Sequence, residues 1–364
     1  MGNLGNIPKT MKALVVYSKD CYRLEKEYPV PECGSEDIII KTEACGICTS
    51  DLKCRHGAKN YWGGLGQKPW VEPPFIPGHE FFGRIVQMGE KVSGFSLGER
   101  ITADQIIPCQ TCRFCKNGQY WMCEPHKIFG FQSCNNGGMA EYVRYSKNCV
   151  ISKIPDSLSV EQAVLIEPYG CAKHAVDRAN ITQKDVVVIS GAGTLGLGML
   201  TYAKMKHPAI LIVLDIQENR LKMAESFGAD LTFNPLRCDV QKEIKKLTDG
   251  YGCDVYIEAS GNPDSVIQGL DMIRKLGRFV EFSVFGKETT ADWSIIGDKK
   301  ELDILGSHLS PYAYTYVIEN MEDGRLKTEG VVTHKFPLEE WEIAFDYASG
   351  KYGDLKVIFD FSMK

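Results

Sequence analysis

No stretch of this chain approaches the roughly 20 consecutive apolar residues that a bilayer-spanning helix needs, which excludes a helical membrane protein. Met1 to Thr10 lacks the apolar core of a secretory signal, so it reads as a loose leader and the default compartment is the cytoplasm. There is no cluster of lysine and arginine, and a net charge of −5 with a pI near 5.9 argues against a nucleic-acid surface. Internal repeats and low-complexity tracts are also missing, which leaves out repeat arrays and biased linkers. What remains is an ordinary globular composition, 44% apolar and 24% charged, in 364 residues. That length is too great for one small core, and two domains are expected.

Cysteine is plentiful, with 14 in the chain. Their placement argues against a disulfide framework: in a reducing compartment such cysteines are metal ligands or small buried hydrophobes. Cys109-x-x-Cys112-x-x-Cys115-x7-Cys123 is the most specific local signal. Four thiolates so spaced can close a tetrahedron around Zn²⁺ and leave no position for chemistry, a structural site that pins a long loop. A zinc ribbon for nucleic acid uses similar ligands, but the acidic chain weighs against it. An iron–sulfur cluster stays open on ligand type alone. A looser group comprises Cys48 in Gly46-Ile-Cys-Thr-Ser-Asp51, His79-Glu80 after Gly78, and Glu167 before Pro168. Singly these read as a core cysteine, a satisfied histidine and a helix-end charge. Together they suit an open zinc site with room for water or substrate, and spacing leaves both readings open.

The stretch around which the chain is organised is Gly191-Ala-Gly193-Thr194-Leu195-Gly196. It follows Asp185-Val-Val-Val-Ile-Ser190, an apolar β-branched run that reads as a strand buried on both faces, and precedes a proline-free apolar helix from Leu195 to Lys206. Strand, glycine turn and helix are the context in which G-x-G-x-x-G means dinucleotide binding. Gly191 allows the tight turn, Gly193 the approach of a pyrophosphate, and Gly196 close packing of helix on strand. The helix start supplies N–H groups and a positive dipole for phosphate charge. The next strand, Ala209 to Leu214, ends in Asp215, placed to bond a ribose diol and to repel the extra phosphate of NADP. NAD is therefore the expected coenzyme. Arg220 is open between lying over the adenine and serving as a solvated helix charge.

Short extended segments dominate before residue 150, with Gly83, Gly89, Gly94 and Gly98 at regular turns. Gly137 to Val143 reads as a further strand, and helix returns over Asp156 to Ala163. This pattern predicts an irregular antiparallel β-barrel. From about Glu167, strands and helices alternate. Strands at Leu231, Asp254–Glu258, Arg278–Phe282 and Glu301–Leu305 join the first two in a six-stranded, doubly wound parallel sheet. Helices are expected at Tyr312–Asn320 and Leu338–Ala348, with a last strand at Leu355–Phe361. The expected fold class is α/β, with residues 1–166 and 307–364 forming the barrel domain and 167–306 the nucleotide domain inserted between them.

Gly78-His-Glu-x-x-Gly83-x5-Gly89-x-x-Val92 resembles the signature of the zinc-containing medium-chain alcohol dehydrogenases. Gly46-Ile-Cys-x-Ser-Asp, the four-cysteine lobe and the glycine turn fall in that family's order, and the resemblance runs from about Lys12 to the end. The chain is most similar to the polyol branch (sorbitol and threonine dehydrogenases), and within it to erythritol/L-threitol dehydrogenases, through Ser50-Asp-Leu-Lys-Cys-Arg-His-Gly57 and Asp254-Val-Tyr-Ile-Glu258. The resemblance implies a GroES-like barrel, a Rossmann coenzyme domain, and homodimers or homotetramers. It implies two Zn²⁺ per chain, with Cys48 and His79 as catalytic ligands, Glu80 and Glu167 exchanging with water, and Cys109, Cys112, Cys115 and Cys123 as structural ligands. Glu167 stands where the classical alcohol dehydrogenases have a cysteine. Ser50 is implied as the first acceptor of the alcohol proton. Ser283-Val284-Phe285 and Ser307-His308 correspond to loops around the nicotinamide, with loop packing as the other reading. One departure stands out: many members carry a histidine five residues after the ligand cysteine, as the proton's exit, and this chain has Lys53 there.

The function so implied is oxidation of a secondary hydroxyl of a small polyol, of erythritol/L-threitol type, to a ketose, with hydride transfer to NAD. Butanediol, sorbitol, threonine or a simple alcohol are other substrates within the family. A catalytically silent nucleotide-binding relative is the alternative from another class. Tyr61, Trp62 and Trp70, between Gly57 and Pro77, either pack on the polyol's C–H faces or anchor their loop. If they line the pocket, replacing Trp62 with alanine raises the KM for a tetritol.

Overall fold

The computed structural model describes residues 2–3, 7–64 and 66–363. Contacts divide the chain into two units, Met1–Glu167 with Tyr314–Asp323 and Thr328–Lys364, and Pro168–Ala313 with Gly324–Lys327. The return to the first unit thus comes at Tyr314, several residues after the expected boundary at 307, and a short piece of the tail stays with the second unit.

The first unit is built on an eight-stranded, mainly antiparallel sheet. Its main path runs Val332–Phe336, Lys356–Asp360, Ile38–Gly46, Glu80–Met88, Arg100–Ala103, Ile151–Ile154. Tyr142–Tyr145 pairs with Ile38–Gly46, and Thr10–Ser18 forms a separate hairpin with Cys21–Pro29. The Glu80–Met88 strand also takes Gly2–Asn3 as a partner, Gly2 opposite Met88. This corrects the reading of the leader as loose, at least for those two residues; Met1 and Leu4–Asn6 lie outside the described residues. Leu14, Ile40, Phe81, Ile101, Phe129, Tyr145 and Phe359 share one apolar core. The expected strand over Gly137–Val143 begins only at Tyr142. A Cβ on Gly137 would lie 2.0 Å from the Gly78 carbonyl oxygen, so the glycines there serve close backbone crossing rather than a ladder.

The second unit is a parallel sheet in the order Leu231–Phe233, Ile210–Leu214, Val186–Ser190, Cys253–Glu258, Ile273–Glu281, Asp303–Gly306. Numbered along the chain, that order is 3-2-1-4-5-6, with helices Thr194–Met205, Glu218–Phe227, Val240–Leu247 and Pro263–Met272 in the crossovers. The first strand is buried from Val187 to Ser190, as its unbroken apolar run requires. The helix after the second strand ends at Gly228, whose φ of +106° makes the left-handed C-terminal cap. No described helix is long and apolar enough to cross a membrane.

Candidate active site and metal centres

Cys48 sits at the N-cap of the Thr49–Arg55 helix, where the Asp51 carboxylate accepts its backbone N–H at 2.8 Å. His79 and Glu80 lie where the Glu80–Met88 strand begins, just after Gly78, whose φ is +93°. A Cβ on Gly78 would stand 2.5 Å from the Cys45 sulfur, and one on Gly46 would stand 2.2 Å from Glu80 Oε2. Glycine is therefore required at both places to let the two ligand-bearing segments meet. They bring one donor atom each of Cys48, His79 and Glu80 within 4.8 Å of one another. His79 is 8% exposed and its Nδ1 is buried with no hydrogen-bond partner, and Glu80 is 1% exposed. A thiol, an orphaned imidazole nitrogen and a buried carboxylate converging on one point fit a divalent metal of borderline softness such as Zn²⁺. Burial pushes the Cys48 thiol up to about 12, with the Glu80 carboxylate adding to it. A cation is what would turn this thiol into a ligand.

Glu80 has a partner that sequence reasoning missed. Lys356, on the last strand, donates through Nζ to Glu80 Oε2 at 2.6 Å, Glu80 Oε1 at 2.8 Å and the Ile47 carbonyl at 3.2 Å. Burial lowers the Lys356 pKa, but Glu80 and Cys48 outweigh it and the ammonium is favoured. The signal was a lysine opening the short Lys356–Asp360 strand ahead of three apolar residues, 276 residues from its partner.

Glu167, near the start of the Ile166–Ala179 helix and 5% exposed, does not join the donor group of Cys48, His79 and Glu80. Its Oε1 accepts a hydrogen bond from Gln105 Nε2, another contact without a sequence signal. Ser50 is the second residue of the helix that Cys48 caps, with its Oγ buried and without a hydrogen bond of good geometry. It is still near enough to the Cys48 thiol and the Tyr61 hydroxyl to favour their ionised forms. Of the aromatic residues, Tyr61 stacks on Phe131 at 5.5 Å, Trp70 lies 4.9 Å from Phe131, and Phe131 lies 5.6 Å from the His79 ring. Trp62 instead donates its indole N–H to the Cys54 carbonyl at 2.7 Å, a loop anchor.

The other thiol group is closed. The sulfurs of Cys109, Cys112, Cys115 and Cys123 lie within 4.8 Å of one another. Backbone N–H groups aim at them, from Cys112 to Cys109 Sγ at 3.3 Å and from Cys109 to Cys123 Sγ at 3.2 Å. The Thr111 hydroxyl and the Thr111 and Cys112 amides bring Cys109 down to about 6, whereas burial pushes Cys123 up to about 12. Amides pointing at sulfur stabilise thiolate, and four such donors suit a tetrahedral ion.

In the second unit a Cβ on Gly196 would lie 1.8 Å from the Gly191 carbonyl oxygen, and one on Gly191 2.9 Å from Ala259. At Gly193 a Cβ would meet only Arg220 Nη1, at 3.9 Å. That turn is open toward a ligand, with Arg220 beside it. Thr194 and Leu195 open the following helix with Gly193 as its N-cap. Asp215 closes the second strand, and its carboxylate accepts from Ala192 N and Gln217 N, each at 2.8 Å. Those bonds fix the carboxylate's orientation and leave further lone pairs. Ser283, Val284 and Phe285 follow the Ile273–Glu281 strand, with Ser283 Oγ 3.5 Å from the Glu258 carbonyl. Ser307, with Oγ buried and unpaired, and His308 follow the Asp303–Gly306 strand. All these groups therefore gather at the carboxyl ends of the strands, where such sheets bind nucleotides.

Residues 34–156 match the alcohol dehydrogenase GroES-like domain family, and residues 194–323 match the zinc-binding dehydrogenase family. The chain is 46% identical over 349 residues to an erythritol/L-threitol dehydrogenase of Mycolicibacterium smegmatis, covering 95% of this chain and 96% of that one. Among solved structures, a putative zinc-binding dehydrogenase from Sinorhizobium meliloti bound to NADP superposes with a TM-score of 0.87 at 28% identity, over 97% and 100% of the two chains. The 2R,3R-butanediol dehydrogenase of Bacillus subtilis gives 0.83 at 26% identity, over 96% and 99%.

Proposed function

We propose, on the premise that this chain belongs to the zinc-binding, GroES-like alcohol dehydrogenase family, that it oxidises a secondary hydroxyl of a four-carbon polyol to the ketose and uses NAD. Oxidation of alcohols or polyols is the shared chemistry of its relatives; the tetritol and the choice of NAD are the finer reading. The observation that carries it is the convergence of Cys48, His79 and Glu80 within 4.8 Å beside the buried Ser50 hydroxyl. Cys48, His79 and Glu80 would hold Zn²⁺, which would supply Lewis-acid polarisation of a hydroxyl. The Gly191–Gly196 turn and Asp215 would hold NAD⁺, which would supply the hydride acceptor, with ketone, NADH and one proton as the balance.

The chain's own residues supply the rest. As the first member of a relay, Ser50 Oγ takes the hydroxyl proton while giving up its own, so the serine stays neutral and the proton passes on toward solvent. Lys356 offsets the charge of Glu80, so a thiolate beside that carboxylate does not leave the site excessively negative. Tyr61, Trp70 and Phe131 form an apolar wall beside His79 that suits the C–H faces of a short carbon chain. Asp215, held by Ala192 and Gln217, accepts from a ribose diol and repels a 2′-phosphate. Cys109, Cys112, Cys115 and Cys123 would hold a second, structural Zn²⁺. Homodimer or homotetramer assembly is part of the same reading.

The test is initial-rate NADH formation from erythritol, threitol, sorbitol, 2,3-butanediol, threonine and ethanol, with and without a chelator. The tetritols should give the highest kcat/KM, and the chelator should abolish it. Turnover of simple alcohols only, or activity indifferent to metal removal, overturns the proposal.

A further inference from the structure

Asp215, read as the ribose ligand, ends the second strand of the parallel sheet and marks the half that faces adenosine. In the order 3-2-1-4-5-6, the fourth to sixth strands then belong to the half that takes the nicotinamide end of a dinucleotide. Glutamates end two of those strands. Glu258 closes the fourth and Glu281 the fifth, opposite each other in register. Neighbouring strands lie about 4.8 Å apart, and partners in register turn their side chains to one face, so two carboxyl groups stand side by side.

The two are not held alike. Glu258 is 0% exposed, and its Oε1 accepts from Ser260 N at 2.9 Å, from Gly261 N at 3.1 Å and from the Ser260 hydroxyl. Those donors satisfy it as a carboxylate. Glu281 is half-buried, and its Oε1 is buried without a hydrogen-bond partner. Burial pushes its carboxyl up to about 7; the Ser283 amide opposes that and the Glu258 carboxylate adds to it. Among the described residues, Glu258 is the charged group that acts on it. Arg278, on the same strand, turns instead to Asp185 at 2.7 Å and to the Ala179 and Asn180 carbonyls. The Tyr256 hydroxyl, on the same face as Glu258, is committed to Ser265. The sixth strand presents Gly306, then Ser307, whose N–H donates to the Glu281 carbonyl at 3.0 Å, and His308.

Both glutamates sit beneath the loops at the coenzyme end of the sheet. A Cβ on Gly261 would lie 3.8 Å from Ser283 Cβ and the Val284 carbonyl oxygen, so the turn that Glu258 shapes packs on the loop that follows Glu281. The same turn meets the glycine turn, since a Cβ on Gly191 would stand 2.9 Å from Ser260 N.

The nicotinamide ring of NAD⁺ carries a positive charge and that of NADH carries none. We propose that Glu281 lets this site tell oxidised from reduced coenzyme by charge, its carboxylate favouring the cationic ring and its protonated form the neutral one. The inference rests on the glycine turn being the coenzyme site. Its sign follows from linkage. A cation near the pair favours the ionised form, so NAD⁺ should drive a proton off Glu281 and bind more tightly as pH rises through about 7. NADH brings no such charge, and covering Glu281 with a neutral ring adds burial, which favours the proton.

The test titrates zinc-loaded, full-length protein without substrate, with NADH followed by its fluorescence and NAD⁺ by calorimetry. From about pH 6 to about 8.5, the Kd for NAD⁺ relative to that for NADH should fall about ten-fold, the scale of a shift of about one pKa unit. Glu281→Gln, which keeps the shape and loses the charge, should remove most of that fall. Infrared difference spectra of the wild type give a second reading that needs no variant. Below about pH 7, NAD⁺ should bleach the C=O band of a protonated carboxyl, and NADH should not. An equal fall in both proteins, or the absence of that bleach, overturns the role of Glu281. A wrong choice between NAD and NADP leaves the test intact, because NADP⁺ and NADPH differ by the same charge and are titrated in the same way. Protein that binds neither pair would sink the coenzyme site itself, and this proposal with it.

Discussion

Removal of the Lys356 ammonium, as in Lys356→Met, is the most demanding perturbation of the reasoning about charge at this site. The two side chains of the Lys356–Glu80 pair are 5% and 2% exposed. Methionine fills nearly the lysine volume, so packing is retained while three hydrogen bonds from Nζ are lost. Stripping one partner from a buried pair costs about 3–5 kcal/mol, because the remaining charge has no compensation. That is more than a hundred-fold in the folded-to-unfolded ratio, at about 1.4 kcal/mol per factor of ten. Because Glu80 also lies in the donor group, a bound divalent cation can compensate the orphaned carboxylate. The loss should therefore be largest in metal-depleted protein and smaller in zinc-loaded protein. Four of the five tryptophans (Trp62, Trp70, Trp121 and Trp341) belong to the unit that contains the pair, so fluorescence during urea unfolding reports on it. Adding Glu80→Gln to Lys356→Met should recover part of the loss in depleted protein. A depleted Lys356→Met protein within about 1 kcal/mol of wild type, or an equal loss with and without zinc, refutes the reasoning.

Three further outcomes follow from named geometry. Gly46→Ala places a methyl 2.2 Å from Glu80 Oε2, and should weaken catalytic metal binding by about ten-fold or more in chelator competition, with stability reduced by about 1–3 kcal/mol. Asp215→Asn removes the charge and keeps an acceptor for only one of the Ala192 and Gln217 amides, so the kcat/KM ratio of NAD over NADP should fall at least about ten-fold in steady-state assays. Burial pushes the Asp104 carboxyl up to about 7, against the lowering effect of the Tyr120 hydroxyl, so the folded state holds a proton that the unfolded chain has released. Its contribution is therefore fully favourable at acid pH and is lost as pH rises from about 4 to 7, an effect of a few kcal/mol. Asp104→Asn should flatten that decline in urea midpoints measured across the interval, and an unchanged slope would dispose of the assignment.

The four-cysteine lobe and the glycine turn were legible because each rests on local spacing. The Cys109–Cys123 run puts four sulfurs within 4.8 Å with only 15 residues of chain, and the glycine turn stands between a strand and a helix that its own residues build. Gly46 and Gly78 belong to the same class, since their small size beside Cys48 and His79 was visible before the reason for it. The loop aromatics were only half legible. Composition marks Tyr61, Trp62 and Trp70 alike, yet Trp62 turns to the Cys54 carbonyl while Tyr61 and Trp70 pack with Phe131 next to His79. Short extended segments were placed well in kind and poorly in extent, as at Gly137, because a glycine run reads alike whether it pairs in a ladder or lets another backbone cross.

By itself the sequence determined the elements, the doubly wound order of the second unit, and which side chains can hold metal or nucleotide, since periodicity, glycine spacing and ligand type act over a few residues. Only the tertiary structure decided how the charges are compensated: that Lys356 comes back from the end of the chain to Glu80, and that Gln105 takes Glu167. Burial makes an unpaired charge too costly to keep, but it does not say which partner must come. That choice is made when segments 62 and 276 residues apart are brought to one place by the fold.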